Sequence, residues 1–272
     1  MADLRAKKET PVMLLVQQTY YLARMVFPGR RSRQMKFGFC NICGRGTGFL
    51  CPDISTIRNT NNCLFCGSSS RKRHVAKEIL SIYDADAYSI KRSRKLRQSR
   101  VLNTGWKDSL TRSMADSDRF FYSEYFPDVI PGTRIEERGY CEDIQNLSFP
   151  NDYFDLVITE DVLEHVRDYK KALVDIRRVL KQGGYHIFTV PCRFDRPNLA
   201  RVDTSGDTDV FLTEPEYHGG GLTRKILAYR TFGTDFLDEL DESRFDSTVS
   251  FSHPKDLEQG IVDSYVFVSR KN

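Results

Sequence analysis

The stretch that decides the fold covers residues 154–190 and reads FDLVITEDVLEHVRDYKKALVDIRRVLKQGGYHIFTV. Residues 154–159 form a short, mainly apolar run that is typical of a strand buried in a parallel sheet. Apolar residues then recur at helical spacing from Tyr169 to Leu180, and Gly183 and Gly184 are predicted to end that helix. Residues 185–190 are predicted to form a second strand. Strand, helix and strand in this order predict a βαβ unit.

Working outward, the same alternation continues on both sides of this stretch. Further strands are predicted over residues 100–104, 120–124 and 134–141. Two segments near the C-terminus, 246–251 and 264–269, are rich in β-forming residues and are expected to pair as a hairpin or as edge strands. The fold class is therefore α/β, with a mostly parallel sheet and helices on both faces.

Length and charge indicate a large domain preceded by a smaller module. The chain has 272 residues, and its first 100 hold 20 basic and 6 acidic residues, whereas the remaining 172 hold 21 and 31. We expect an N-terminal helix and basic segment over 1–36, a cysteine-rich module with a linking helix over 37–98, and the α/β domain over 99–272. The basic module can bind an anionic partner or dock on its acidic neighbour.

Composition excludes several classes of protein. Hydrophobic residues make up 40% and charged residues 29% of the chain, which argues against disorder. No stretch approaches the ~20 apolar residues of a membrane span, and no secretory signal is evident. We therefore expect a cytosolic protein. A predicted helix over 11–27 has a broad apolar face that either packs on the domain or makes peripheral contact with a membrane surface.

Four of the seven cysteines have the spacing of a zinc ribbon. Two C-x2-C pairs, Cys40 with Cys43 and Cys63 with Cys66, are separated by 19 residues. Each pair aims two thiolates at one point, so that two pairs complete a tetrahedral shell around a structural Zn²⁺. A glycine, Gly44 or Gly67, follows each pair, where a tight turn needs an unhindered backbone. The alternative is two unrelated thiol pairs.

Residues 141–166, CEDIQNLSFPNDYFDLVITEDVLEHV, together with ALVDIRRVLKQGG at 172–184 and FTVP at 188–191, carry a family resemblance. This pattern resembles the class I S-adenosylmethionine-dependent methyltransferases, more narrowly their type 11 group, and implies a Rossmann-like sheet of about seven strands. The segments 66–74, 215–219 and 229–233 resemble a subgroup with an N-terminal zinc knuckle, whose members are often associated with bacterial glycan biosynthesis.

The resemblance implies a set of cofactor-binding residues. Glu124 would bind the ribose hydroxyls, Asp143 the adenine amino group, and Ile144 would pack on the ring. Glu160 and Asp161 would border the methionine end. The alternatives are a solvated strand end for Glu124 and a turn cap for Asp143. One departure is the loop after the first strand, residues 101–110, where the glycine-rich pattern is reduced to Gly105 alone.

The methyl acceptor is not specified by the sequence, but a hydroxyl acceptor benefits from a general base. His218 is the first candidate for that base and Glu160 the second, whereas a histidine satisfied by its neighbours is the alternative for His218. His165 is expected to pack or to hydrogen-bond locally.

Three functions compete. We expect methyl transfer to oxygen of a small molecule or glycan. The alternatives are an RNA or protein methyltransferase that captures substrate through the basic zinc module, and a non-catalytic scaffold. Capture of nucleic acid would use aromatic and basic residues of that module, namely Phe37, Phe39, Phe49, Arg45 and Arg58.

Overall fold

The computed structural model describes residues 34–219 and 225–272, so the helix predicted over 11–27 lies outside the described residues. The strands are β1 Gln34–Cys40, β2 Arg45–Cys51, β3 Asn62–Cys63, β4 Val101–Asn103, β5 Phe120–Glu124, β6 Gly139–Cys141, β7 Phe154–Glu160, β8 Leu180–Thr189, β9 Leu199–Ala200, β10 Val202–Asp203, β11 Val210–Phe211, β12 Tyr217–His218, β13 Ile226–Leu227, β14 Arg230–Thr231, β15 Phe245–Phe251 and β16 Tyr265–Lys271.

The helices of the described residues are α1 Ile57–Thr60, α2 Ser70–Tyr83, α3 Arg94–Gln98, α4 Ser109–Met114, α5 Tyr169–Val179 and α6 Phe236–Glu242. Short 3₁₀ helices cover Ile54–Thr56, Ile90–Arg92, Leu163–His165 and Pro254–Gln259. No helix of the described ranges has the length and hydropathy that a membrane span requires.

Seven strands form the central sheet in the order β15-β16-β8-β7-β4-β5-β6. The five strands from β8 to β6 are parallel, whereas β16 runs antiparallel to β8 and to β15. This confirms the α/β fold class and the pairing of the two C-terminal segments. Because β4 to β7 are parallel, their carboxyl ends lie at one edge of the sheet, where ligands bind in open α/β folds.

The transition from α5 to β8 differs from the predicted one. The helix ends at Val179 and the strand begins at Leu180, so the glycines lie inside β8 and do not end the helix. Gly183 has φ +77°, and the register between β7 and β8 shifts between Phe154 and Leu156. The glycine therefore serves a bulge in the sheet, which helical periodicity cannot reveal. The predicted strand 134–141 is likewise shorter, with only β6 at its end.

The cysteine-rich segment shares a hydrophobic cluster with one face of the central sheet. Phe49 and Ile42 belong to the same buried cluster as Ile79 of α2 and Ile187 of β8. The opposite face packs mainly against α5 and α6, with Phe188 and Phe267 at its centre. The boundary predicted at residue 98 stays a prediction.

Candidate active site and candidate metal centre

The four paired cysteines meet at one point. The sulfur atoms of Cys40, Cys43, Cys63 and Cys66 all lie within 4.8 Å of one another. Cys40 Sγ is 3.7 Å from Cys66 Sγ, and Cys43 Sγ is 3.9 Å from Cys63 Sγ. Four thiolates at about 2.3 Å from a zinc ion in tetrahedral geometry stand roughly 3.8 Å apart. The spacing of the sulfur atoms therefore fits a zinc ion.

Both C-x2-C turns have the backbone that the sequence predicted. The amide of Gly44 donates to the carbonyl of Cys40, and the amide of Gly67 donates to that of Cys63, each at 2.9 Å. Both glycines have positive φ, +74° and +71°. Only a residue without Cβ adopts this conformation at no cost, which explains glycine after each pair.

Arg73 fastens this cluster to the C-terminal part of the chain. Its guanidinium is fully buried and lies 4.2 Å from the ring centroid of Phe49. It donates to carbonyl groups on both sides of the junction between the cysteine-rich module and the C-terminal part of the chain. The accepting carbonyls belong to Asn61, Ser68, Gln259 and Gly260. Because a buried guanidinium is tolerated only when its donors are paired, Arg73 is a structural residue of this junction.

The carboxyl edge of the sheet brings the predicted cofactor residues to neighbouring strand ends. Glu124 ends β5 and pairs in register with Cys141, two residues before Asp143. Partial burial raises the pKa of the Glu124 carboxyl above its usual value. One oxygen of this carboxylate accepts from the Tyr125 amide at 3.2 Å. A carboxylate in this position can accept hydrogen bonds from hydroxyl groups of a ligand.

Asp143 caps the turn that follows β6. Its Oδ1 accepts from the Gln145 backbone amide at 2.9 Å and from the Gln145 side chain at 3.0 Å. Ile144 is 7% exposed and belongs to the core. The turn-cap interpretation is thus observed, and it leaves the adenine role of Asp143 as a prediction, since a carboxylate has further acceptor sites.

Side-chain hydrogen bonds stabilise the loop after β4, whereas the family that the sequence resembles has a glycine-rich loop at this place. Asn103 donates to Asp108 at 3.3 Å and to Thr111 at 3.0 Å, and the Thr111 hydroxyl donates to the Gly105 carbonyl at 2.7 Å. A Cβ at Gly105 would collide with the Asp108 carboxylate. Lys107 adopts φ +53°, a conformation that glycine favours.

Three basic residues of the cysteine-rich module lie at the carboxyl edge of the central sheet, and the sequence analysis did not assign them to it. Lys72 Nζ lies 2.7 Å from both Asp108 and Glu160. Arg58 forms a bidentate pair with Asp161 at 3.1 and 3.2 Å, and Arg71 also pairs with both Glu160 and Asp161. The charge asymmetry was the available signal, and it predicted docking on an acidic neighbour as one alternative.

Glu164 lies in the 3₁₀ helix after β7, beside two histidines. Its carboxyl is 3.7 Å from His165 Nε2 and 4.0 Å from His218 Nδ1, and burial raises the pKa of Glu164 to about 7. The His165 and His218 rings stand edge to face with centroids 4.9 Å apart. His165 hydrogen-bonds to the Leu227 carbonyl, 62 residues later in the chain, so this contact is not local in sequence. Its ring also faces His218, a second predicted site residue.

Two of the five residues suggested for nucleic-acid capture are used internally. Phe49 is fully buried under Arg73, and Arg58 is paired with Asp161. Phe37 is 81% exposed, and Arg45 lies 5.0 Å from the ring centroid of Phe65, which is also exposed.

Comparison with known proteins identifies the domain. Residues 112–188 match the family described as "Methyltransferase domain". An uncharacterized protein of Methanocaldococcus jannaschii is 28% identical over 130 residues, which are 48% of this chain and 56% of that protein. An uncharacterized methyltransferase of Schizosaccharomyces pombe is 50% identical over 42 residues, 15% of each chain. The chain thus spans about half the length of the first relative and less of the second.

Solved structures with related architecture include the YcgJ protein of Bacillus subtilis, at 12% identity and a TM-score of 0.46, with 73% of this chain and 98% of that chain covered. An S-adenosylmethionine-dependent methyltransferase of Mesorhizobium loti aligns at 16% identity and a TM-score of 0.38, covering 64% and 91%.

The matched residues run from α4 to β8, so this part of the chain is a methyltransferase domain, and it contributes to a seven-stranded, mostly parallel sheet of the kind expected for class I S-adenosylmethionine-dependent methyltransferases. In particular, residues 112–188 match the type 11 group of methyltransferase domains.

Proposed function

We propose that this protein transfers the methyl group of S-adenosylmethionine to an oxygen atom of a small-molecule or glycan acceptor. The observation that carries the proposal is the set of carboxylates at strand ends along one edge of the sheet, with Glu124 at the end of β5, Asp143 after β6 and Glu160 at the end of β7. All three residues lie within the part of the chain that matches the methyltransferase domain.

In this proposal, each strand end binds one part of the cofactor. Glu124 accepts hydrogen bonds from the ribose hydroxyls, and Asp143 accepts one from the adenine amino group while Ile144 contacts the ring. The loop after β4, which contains Gly105, lies beside the cofactor, and the Glu160–Asp161 turn borders the methionine end. Arg71 and Lys72 bring positive charge to that end, where a methionine carboxylate needs a partner.

In methyl transfer the protein mainly positions the two reactants. The sulfonium already activates the methyl group, so the site must align an acceptor oxygen with the carbon–sulfur bond and exclude water. Glu160 and His218 are the catalytic candidates. His218 Nδ1 faces Glu164 in the cluster that follows β7. We propose this atom as the acceptor of the hydroxyl proton when its lone pair is free.

We also propose that Cys40, Cys43, Cys63 and Cys66 hold a structural zinc ion. The sulfur spacing and the two positive-φ glycines support it. A shell of four thiolates leaves no open coordination position, so this zinc would have no part in methyl transfer.

Calorimetric titration with S-adenosylmethionine and S-adenosylhomocysteine tests the cofactor site. Glu124→Ala should weaken binding on the order of tenfold or more, since each charge-assisted hydrogen bond contributes roughly 1.5–3 kcal/mol. Glu137→Ala is the matched control, because Glu137 is an exposed acid that precedes β6 and so lies away from the carboxyl ends of the strands. Affinity should also fall as the pH drops through the raised pKa of Glu124, since the protonated form accepts fewer hydrogen bonds. Equal affinity of the two variants would refute the assignment.

A further inference from the structure

Glu164, His165 and His218 form a cluster of three potential metal ligands that the sequence analysis did not predict. The three side chains offer one carboxylate oxygen and two ring nitrogens, all within 4.8 Å of one another. Glu164 and His165 belong to the 3₁₀ helix after β7, while His218 comes from β12, more than 50 residues later. Only the tertiary fold brings these groups together.

The hydrogen bonds of the two histidines fix which nitrogen faces Glu164. His165 Nδ1 lies 2.8 Å from the Leu227 carbonyl, which can only accept, so Nδ1 carries the hydrogen. His218 Nε2 lies 2.9 Å from a Glu216 carboxylate oxygen and donates to it. In the neutral rings, His165 Nε2 and His218 Nδ1 therefore direct lone pairs toward the Glu164 carboxyl.

No side chain of the described residues donates a hydrogen bond to the Glu164 carboxyl. The residue is 1% exposed, and within the described residues neither of its carboxyl oxygens has a hydrogen-bond partner. Arg71, the cation that comes from α2, forms its ion pairs with Glu160 and Asp161. A buried carboxylate beside two lone pairs is strongly unfavourable unless a proton or a metal cation lies between them.

We propose that Glu164, His165 and His218 bind a divalent transition-metal cation such as Mn²⁺, Fe²⁺ or Zn²⁺. Two imidazoles and one carboxylate are a common ligand set for these ions, and they leave positions open for an exogenous ligand. Adjacent ligand atoms around such an ion stand about 3.0–3.4 Å apart. The observed 3.7 and 4.0 Å separations are within about one ångström of that spacing.

Residues around the cluster hydrogen-bond to the proposed ligands or to the turn that carries them. In metal sites, hydrogen bonds of this kind fix the orientation of the ligands. Glu216 accepts from His218 with one carboxylate oxygen and pairs with Arg201 through the other, which forms a carboxylate–histidine–metal arrangement. Arg230 donates to the carbonyls of Leu163 and Val166 and so holds the turn that carries Glu164 and His165.

The role of the cation rests on the proposed function, whereas its presence does not. An acceptor hydroxyl in an open position of the ion would lose its proton more readily, to solvent or to a neighbouring carboxylate such as Glu160. The oxygen lone pair then forms the bond to the methyl carbon as the carbon–sulfur bond breaks, and its electron pair stays on sulfur. S-adenosylhomocysteine and the methyl ether are the products, and His218 acts as ligand and not as base.

Manganese titration of the zinc-loaded, full-length protein tests the site. Mn²⁺ prefers nitrogen and oxygen ligands to a thiolate shell, and loss of its free-ion electron paramagnetic resonance signal reports binding. We expect about one Mn²⁺ per chain. Glu164→Gln, which keeps the side-chain volume, and His218→Ala should each weaken binding at least roughly tenfold. His253→Ala, at an exposed position, is the matched control and should bind as the wild type.

Circular dichroism establishes that each variant is folded before titration. Glu124→Ala should retain Mn²⁺ and lose S-adenosylmethionine affinity, so that failure of the cofactor site and failure of the cation site are told apart. No Mn²⁺ binding by the wild type at millimolar concentration, or equal binding by Glu164→Gln, His218→Ala and the control, would overturn the proposal. In that case a proton on Glu164 occupies the cluster.

Discussion

At the scale of single residues, the fully buried polar side chains Arg73 and His186 have specific effects on the stability of the protein. Arg73 belongs to a run of basic residues, Arg71 to Arg73, that looks uniform in the sequence, yet only Arg73 is buried completely among the paired cysteines and donates to four carbonyls. The geometry of its planar fork, and not merely its charge, satisfies those groups.

Arg73→Lys should therefore destabilise the protein by about 3 kcal/mol or more, because an ammonium group cannot reach carbonyls on both sides of the junction. Arg94→Lys, at an exposed position on α3, is the control and should change the free energy of unfolding by less than about 0.5 kcal/mol. Urea denaturation of both variants measures the difference. A loss no greater than that of the control would contradict the structural role of Arg73.

His186 makes the stability depend on pH. It is fully buried on β8, lies 2.9 Å from the Thr159 hydroxyl, and burial lowers its pKa to about 3. Between pH ~6.5 and ~3 the unfolded chain binds a proton at this position and the folded chain does not, so stability falls as the pH falls.

Replacing His186 by Gln should remove this contribution, which amounts to about 2 kcal/mol between pH ~7.5 and pH ~5. The wild type should lose that much more stability than His186→Gln over the interval, as measured by denaturation at each pH. Parallel pH profiles for the two proteins would show that His186 is protonated in the folded state as well.

At the scale of elements, the small sheet β1–β3 depends on its two cysteine turns. β1 and β2 have seven residues each, but β3 has only two, so the sheet is little more than a two-stranded hairpin, which is marginally stable by itself. If zinc binds the four sulfur atoms, its binding free energy becomes folding free energy for this element.

We expect about one zinc per chain in the purified wild type and none in Cys63→Ser, together with a lower melting temperature. Cys51→Ser is the matched control, because Cys51 is buried in the same sheet but lies outside the sulfur cluster and contacts the Asp53 carbonyl instead. Elemental analysis and thermal melts give the two readouts. Zinc retained by Cys63→Ser, or absent from the wild type, would rule out the site.

At the scale of the whole molecule, the cysteine-rich module is bound to the central sheet by ion pairs as well as by apolar packing. Arg58 of α1 reaches Asp161 after β7, more than 100 residues away, and both side chains are mostly buried. Asp161 also has φ +52°, so its backbone is held in an unfavourable conformation at the proposed active site.

A double-mutant cycle with Arg58→Met and Asp161→Asn should give a coupling energy of about 1 kcal/mol or more, since the pair is bidentate and shielded from water. The surface pair Arg97 and Asp116 is the control, and because Asp116 is exposed, its cycle should give a few tenths of a kcal/mol. Similar coupling in the two cycles would mean that the Arg58 pair is screened as strongly as a surface pair.

The sequence by itself determined the features that depend on local pattern. The buried run at 154–159, the strand at 120–124 and the paired C-terminal strands follow from periodicity and composition, and the two glycines after the cysteine pairs follow from backbone sterics. The convergence of the four cysteines was also readable, because their spacing alone constrains where the sulfur atoms can go.

Only the tertiary structure decided which side chains meet across long separations in sequence. Arg58, Lys72 and Arg73 look alike in the chain, yet Arg58 pairs with Asp161, Lys72 bridges Asp108 and Glu160, and Arg73 is buried over the ring of Phe49. His218 and Glu164 are separated by more than 50 residues and meet because β13, paired with β12, accepts a hydrogen bond from His165. Burial and charge pairing depend on all elements at once, so no local pattern encodes them.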